Sequence, residues 1–217
     1  MITRSALNKT AHVFIFLFFT SSIFAQIFRF QTGDLLFQKG ISSELNEAIT
    51  ETTFIENGIC YTHVGIVSVE NDTVFVIEAT PPEVRKTLLD TFLQRSTFFD
   101  GKPVVAVGRL KQEYNETIPQ AITIAIHLLG KPYDFVYSPN NDAYYCSELV
   151  MLSFLNRQGE PIFEPLNMNF RDADGNLSVY WIEHFEKHNA VIPENHQGSN
   201  PCDISKSDNI EIVYWYY

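Results

Sequence analysis

Apolar residues crowd Thr62 to Val69 and again Thr73 to Ala79, which predicts two β-strands whose side chains point to the two faces with a period of two. The turn-forming pair Asn71-Asp72 between them predicts a hairpin with a two-residue loop. An even-residue turn puts odd positions of the first strand on the same face as even positions of the second. His63, Gly65, Val67 and Val69 therefore share a face with Val74, Val76 and Glu78. In this register His63 lies opposite Thr80 and diagonal to Glu78, about 7–8 Å between backbones, which an imidazole and a long carboxylate can span. A carboxylate within Val-Phe-Val-Ile-Glu-Ala requires a partner, because half-burying it alone is costly. The shared face is expected to lie against the helix that carries Cys146.

The same reading predicts further elements. Gly33 to Phe37 is a turn entering a short strand, and Ser42 to Thr50 a short helix with Ser43 as N-cap. Pro81-Pro82 ends the hairpin, Val84 to Leu88 is a strand, Leu89 to Arg95 a helical turn or two, and Val104 to Leu110 a strand. Pro119 opens a helix that Gly130-Lys131-Pro132 terminates. The pattern weakens beyond Gly159, where Val179 to Lys187 reads as a helix, Asn195 to Pro201 as a turn-rich loop and Ile210 to Tyr217 as a closing strand. No internal repeat or linker interrupts the series.

A second helix changes the picture chemically. The stripe Val150, Met151, Phe154, Leu155 marks a buried face, and Cys146 stands at its head. A lone cysteine on an apolar helix is commonly a small buried hydrophobe. Exposed N–H groups and the helix dipole at an N-terminus favour a thiolate, which is the nucleophilic form. A helix-head cysteine joined by a histidine and a carboxylate on one strand face supplies the set that cysteine nucleophile chemistry needs.

Residues 1–25 have the pattern of an export signal, with Arg4 and Lys9 preceding the apolar run Val13 to Phe19 and small residues leading to Ala25. Cleavage there leaves one domain over residues 26–217, periplasmic or secreted. No later stretch is apolar enough to span a membrane, which takes about 20 residues. The net charge of the full chain is −11, and residues 26–217 hold 13 basic against 26 acidic residues, net −13. That balance disfavours nucleic acid and anionic lipid as the main partner. Of Cys60, Cys146 and Cys202 at least one is unpaired within the chain; Cys60 and Cys202 either bridge or, for Cys60, pack beside its strand.

Other motifs carry less. His184 and His188 stand at i, i+4 without a third ligand, which fits a solvated helix face better than a metal site. Asp172-Ala173-Asp174-Gly175 lacks the first and last ligands of a calcium loop and reads as a turn. No metal or cofactor is expected. Asn71-Asp72-Thr73, Asn115-Glu116-Thr117 and Asn176-Leu177-Ser178 match the glycosylation acceptor, which matters only in a host that glycosylates.

In chain order, Gly33-Asp34-Leu35-Leu36-Phe37, Thr62-His63-Val64-Gly65-Ile66-Val67, Glu78-Ala79 and Tyr145-Cys146-Ser147-Glu148-Leu149-Val150 resemble the YiiX/YebB-like cysteine hydrolases, permuted papain-like enzymes related to the NlpC cell-wall hydrolases. The resemblance covers most of residues 26–217 and is weak after Gly159. It implies an α+β fold with an antiparallel sheet packed on the cysteine helix, and a thiol amidase or peptidase. It further implies Cys146 as nucleophile, His63 as base and Glu78 as the group orienting the histidine. The Ser147 N–H is the natural oxyanion donor. Tyr133 either lines the pocket or packs, and Glu148 either binds a cationic substrate group or favours the helix N-terminus. The expected substrate is a small peptide or amide, in peptidoglycan-derived peptides or N-acyl amino acids. Lipid acyl transfer and a non-catalytic binding module are the alternatives.

Overall fold

A computed structural model describes residues 28–41, 43–53, 58–139 and 141–217. The segment read as an export signal lies outside them. In chain order the elements are β1 (Leu35–Gln38), α1 (Glu44–Thr52), β2 (His63–Glu70), β3 (Thr73–Thr80), β4 (Glu83–Leu88), α2 (Leu89–Gln94), β5 (Phe98–Phe99), β6 (Lys102–Pro103) and β7 (Val105–Leu110). After a 3₁₀ turn at Gln112–Thr117 come α3 (Ile118–His127), α4 (Cys146–Ser153), β8 (Leu166–Asn167), α5 (Val179–Lys187), β9 (Gln197–Gly198), α6 (Pro201–Ile204) and β10 (Ile210–Trp215). Six strands form one antiparallel sheet in the order β10-β7-β1-β2-β3-β4.

The local chemistry explains the main joints. Asn71 and Asp72 both adopt positive φ, 46° and 62°, which is what a two-residue loop matching the twist of its strands requires. The register that follows pairs Ile66 with Ile77 and Glu70 with Thr73, so the parity read from the sequence holds. Ser43 caps α1 by accepting a hydrogen bond from the Asn46 N–H at 3.3 Å. Asp34, buried at the start of β1, takes two hydrogen bonds from Arg109 on β7 (2.7 and 2.8 Å) and ties those strands together.

Each face of the sheet has its own core. One face presents Leu35, Phe37, Val64, Ile66, Ile77 and Ala79 to α3 and α4, which bury Ala121, Ala125, Leu149 and Val150 against it. Fully buried side chains such as Leu149 and Val150 each contribute about 1.5–3 kcal/mol relative to exposure. The other face presents Leu36, Val67, Val76, Val105 and Val107 to Phe92 of α2 and to the aromatic edge of Phe28, Phe30 and Tyr214. A smaller cluster of Ala48, Phe170, Trp181 and Phe185 joins α1 to α5. The strands therefore read as nearly continuous apolar runs where both faces are covered.

Candidate active site

His63 opens β2 and Glu78 lies near the end of β3, so both stand at one end of the sheet. Their side chains meet, with His63 Nε2 at 2.6 Å from Glu78 Oε2. Gly65 faces Glu78 across the hairpin, and a Cβ there would collide with Val76 and come within 3.3 Å of the Glu78 Cβ. Its missing side chain leaves the carboxylate room to lean along the strand to His63. The expectation that this pair faces the cysteine helix is not met. His63 and Glu78 share the face covered by α2, with the imidazole 5.7 Å from the Phe92 ring, whereas α4 packs on the opposite face. Cys146, the first residue of α4, reaches His63 around the end of the sheet, close enough for the two side chains to interact. Because Nε2 is taken by Glu78, Nδ1 is the ring nitrogen left for the sulfur.

Glu78 has no solvent exposure, and both of its oxygens are used. Oε2 meets His63; Oε1 accepts from Thr87 Oγ1 at 2.6 Å and from the guanidinium of Arg95. Burial opposes its charge, but His63, Arg95 and Thr87 overcome that cost and hold the carboxyl down at about 2. For His63 burial likewise opposes the charge, and contact with Cys146 and Glu78 prevails, raising it to about 9. The pair is therefore an imidazolium and a carboxylate near neutral pH.

Cys146 is 7% exposed and opens onto a cavity of about 680 Å³. The head of α4 is pinned by the Ser199 segment: the Ser147 hydroxyl donates to the Ser199 carbonyl (3.0 Å), and the Ser199 N–H donates to the Tyr145 hydroxyl (3.2 Å). The Ser147 N–H lies in the first turn, where no helical carbonyl can accept it, beside the sulfur and on the cavity wall. Tyr133 also lines the cavity; burial and then the neighbouring Tyr137 push its hydroxyl well up. Glu148 does not line the cavity. It is 5% exposed and turns back at the head of the helix to accept the Tyr145 N–H at 3.4 Å. Burial and then the nearby Asp134 raise its carboxyl to about 8.

Two wall residues escaped the sequence reading. Tyr137 stands at φ 52°, braced by Asp134, whose carboxylate accepts the N–H groups of Val136 and Ser138 at 2.8 and 2.7 Å. An aspartate preceding a turn was the available signal. Arg95, at the end of α2, is the other. His184 and His188 are half-buried: His184 Nε2 contacts the Phe135 carbonyl at 2.6 Å, and the His188 ring stacks on Phe135. Asp172 caps a turn, accepting from Asp174 and Asn176, as read. All three cysteines are free and buried. Cys60 and Cys202 lie close enough to interact, which lowers Cys202 to about 7 and, together with burial, raises Cys60.

An antiparallel sheet with a histidine-carboxylate pair at its end, meeting a cysteine at a helix head, defines a papain-like arrangement in which the histidine precedes the cysteine in the chain. The chain belongs to the permuted papain-like amidase family YaeF/YiiX, C92, which matches residues 29–214. It is 35% identical over 136 residues to the uncharacterized protein YiiX of Escherichia coli (strain K12), a match spanning 62% of each chain and so less than two thirds of that relative's length. The fold is similar to the crystal structure of the metalloprotein yiiX from Escherichia coli O157:H7, with a TM-score of 0.69 and 26% identity, covering 85% of this chain and 97% of that one. Among the described residues of this chain no group of three or more His, Cys, Asp or Glu is gathered in a form that could hold a metal ion.

Proposed function

We propose that the protein is an exported thiol amidase that cleaves a small amide or peptide bond, in peptidoglycan-derived peptides or N-acyl amino acids. The observation that carries this reading is the continuous chain from Cys146 through His63 to Glu78, opening on one cavity. Cys146 gives its proton to Nδ1 of His63 before the attack, and from the resulting thiolate–imidazolium pair the sulfur attacks the scissile carbonyl carbon. The negative oxygen that develops is stabilised by the Ser147 N–H at the head of α4. The imidazolium then passes its proton to the departing amine, which leaves an acyl-cysteine. Water, deprotonated by the same imidazole, attacks the acyl-cysteine and releases a carboxylic acid and the free thiol. Glu78 holds the ring oriented throughout and stabilises its cationic form. Export rests on the leader-like pattern of residues 1–25 and places the activity in the periplasm or outside the cell.

A second reading, acyl transfer on lipids through the same thiol, is favoured by the apolar wall that Ile41, Leu45, Ile49, Leu166 and Met168 give the cavity. The test is a mass-spectrometric screen of the purified protein against muropeptides, N-acyl amino acids and phospholipids, with Cys146→Ala alongside. Amide cleavage that disappears in Cys146→Ala supports the amidase. Loss of acyl chains from phospholipid alone favours the second reading, and activity retained in Cys146→Ala removes the thiol from the reaction.

A further inference from the structure

The orienting carboxylate has a problem that His63 cannot solve. In each turnover the imidazole gives its proton away, and at that moment Glu78, with no solvent exposure, would be a buried anion facing a neutral ring. A permanent cation is needed, and an arginine never deprotonates. The cross-strand neighbour Arg85, directly opposite Glu78 in register, sends its guanidinium to the Pro81 carbonyl at 3.4 Å instead. The cation at Oε1 is Arg95, delivered from the far end of α2.

Arg95 is built into place. Its guanidinium lies 5.7 Å from the Phe92 ring, which also sits 5.7 Å from the His63 imidazole, so one aromatic spaces the two cationic partners of Glu78. The Phe92 carbonyl accepts the Gln38 side-chain amide at 2.6 Å, which fastens α2 to β1. The Arg95 Nε is buried without a partner, so the guanidinium's hold comes through its contact with Glu78. Thr87 supplies the second donor to the same oxygen.

We propose that Arg95 is a positioning residue that, with Thr87, keeps Glu78 ionised and aimed at His63 in both halves of the catalytic cycle. The inference rests on the thiol-amidase reading, and it assigns Arg95 no direct contact with substrate although the side chain reaches the cavity wall.

The test is a double-mutant cycle read by the rate at which iodoacetamide alkylates Cys146, followed by peptide mass spectrometry from pH 4 to 9. Arg95→Met removes the counter-charge, so Glu78, held at about 2 in the unmodified protein, protonates about 1–3 pH units higher and reaches the acid end of the measured range, and the acid limb of the profile moves up with it, about tenfold in rate at pH 4. Arg95→Lys, which keeps charge without the fork, restores part of the shift. Arg85→Met leaves the profile unchanged. In the Glu78→Gln background, adding Arg95→Met has no further effect, within about twofold, because the group it acts through is gone. An unshifted limb in Arg95→Met, or an additive double variant, overturns the proposal while leaving the thiol-amidase reading intact. If His63→Ala labels Cys146 as fast as the unmodified protein does, that reading has itself failed and the inference falls with it. Should Arg95→Met not fold, as judged by near-UV circular dichroism, the Arg95→Lys comparison in both backgrounds decides.

Discussion

Glu148 offers a perturbation whose size follows from its surroundings without reference to any substrate. Its carboxyl is buried beside Asp134 at the head of α4 and titrates at about 8 instead of 4.5. A raised carboxyl pKa means that the folded state holds the proton more tightly than the unfolded chain does. The contribution of Glu148 to stability is therefore greatest at low pH, falls from about pH 4.5 upward, and levels off above about pH 8. The slope in that window is about 1.4 kcal/mol per pH unit, and the whole span amounts to at most about 5 kcal/mol. Glu148→Gln keeps a carbonyl oxygen for the Tyr145 N–H and cannot ionise, so it carries none of this loss. Urea unfolding of both proteins at pH 5, 6, 7 and 8 should give curves that diverge with pH, the variant becoming the more stable by about 3 kcal/mol at pH 7. Taking the difference between the two proteins cancels every other titrating group. A stability difference that stays constant from pH 5 to 8 would refute a buried, proton-holding Glu148.

The His63–Glu78 pair leaves the opposite signature. The stabilisation from Glu78, held near 2, is present above about pH 4.5 and lost as pH falls through 2; that from His63, raised to about 9, is present below 6.5 and lost as pH rises through 9. Their joint contribution should thus be full between about pH 4.5 and 6.5, and a His63→Ala denaturation series should lack the alkaline decline. Gly65→Ala pushes a methyl into Val76 and toward Glu78; a loss of about 1–3 kcal/mol is expected by thermal unfolding, together with slower Cys146 alkylation. Asp34→Asn leaves Arg109 with a neutral partner at the β1–β7 joint, and chemical denaturation should show a cost of about 1.5–3 kcal/mol.

How much of this was readable follows from which features carry a period. The hairpin was legible because a two-residue turn fixes parity, and parity alone brings His63 and Glu78 to one face. Parity does not say which helix covers that face. The cover is α2, six residues whose single deep anchor, Phe92, leaves no helical stripe in the sequence, so α4 was assigned to the wrong side. Arg95 was missed for a related reason. The carboxylate of Glu78 was correctly judged to need a partner, but it has two oxygens, and the second is satisfied from 17 residues away by a residue outside any repeating pattern. Glu148 looked like a charge available to substrate because sequence does not show that its helix head is closed over by Ser199. Beyond Gly159 the nine-residue α5 was readable, whereas β8 and β9, two residues each, and the four-residue α6 are too short to show any periodicity. They exist because tertiary packing fixes them.

The central claim is that His63 activates Cys146, and the most direct measurement is the rate of Cys146 alkylation by iodoacetamide at pH 6 in the unmodified protein and in His63→Ala. Cys146 opens on the cavity while Cys60 and Cys202 are 3% and 0% exposed, so peptide mass spectrometry should find Cys146 modified first. The account predicts that His63→Ala slows that modification by about 10²-fold, the lower end of what a positioned base supplies. Equal rates in the two proteins, with fold retained, would contradict it and leave Cys146 as a packing residue at the head of its helix.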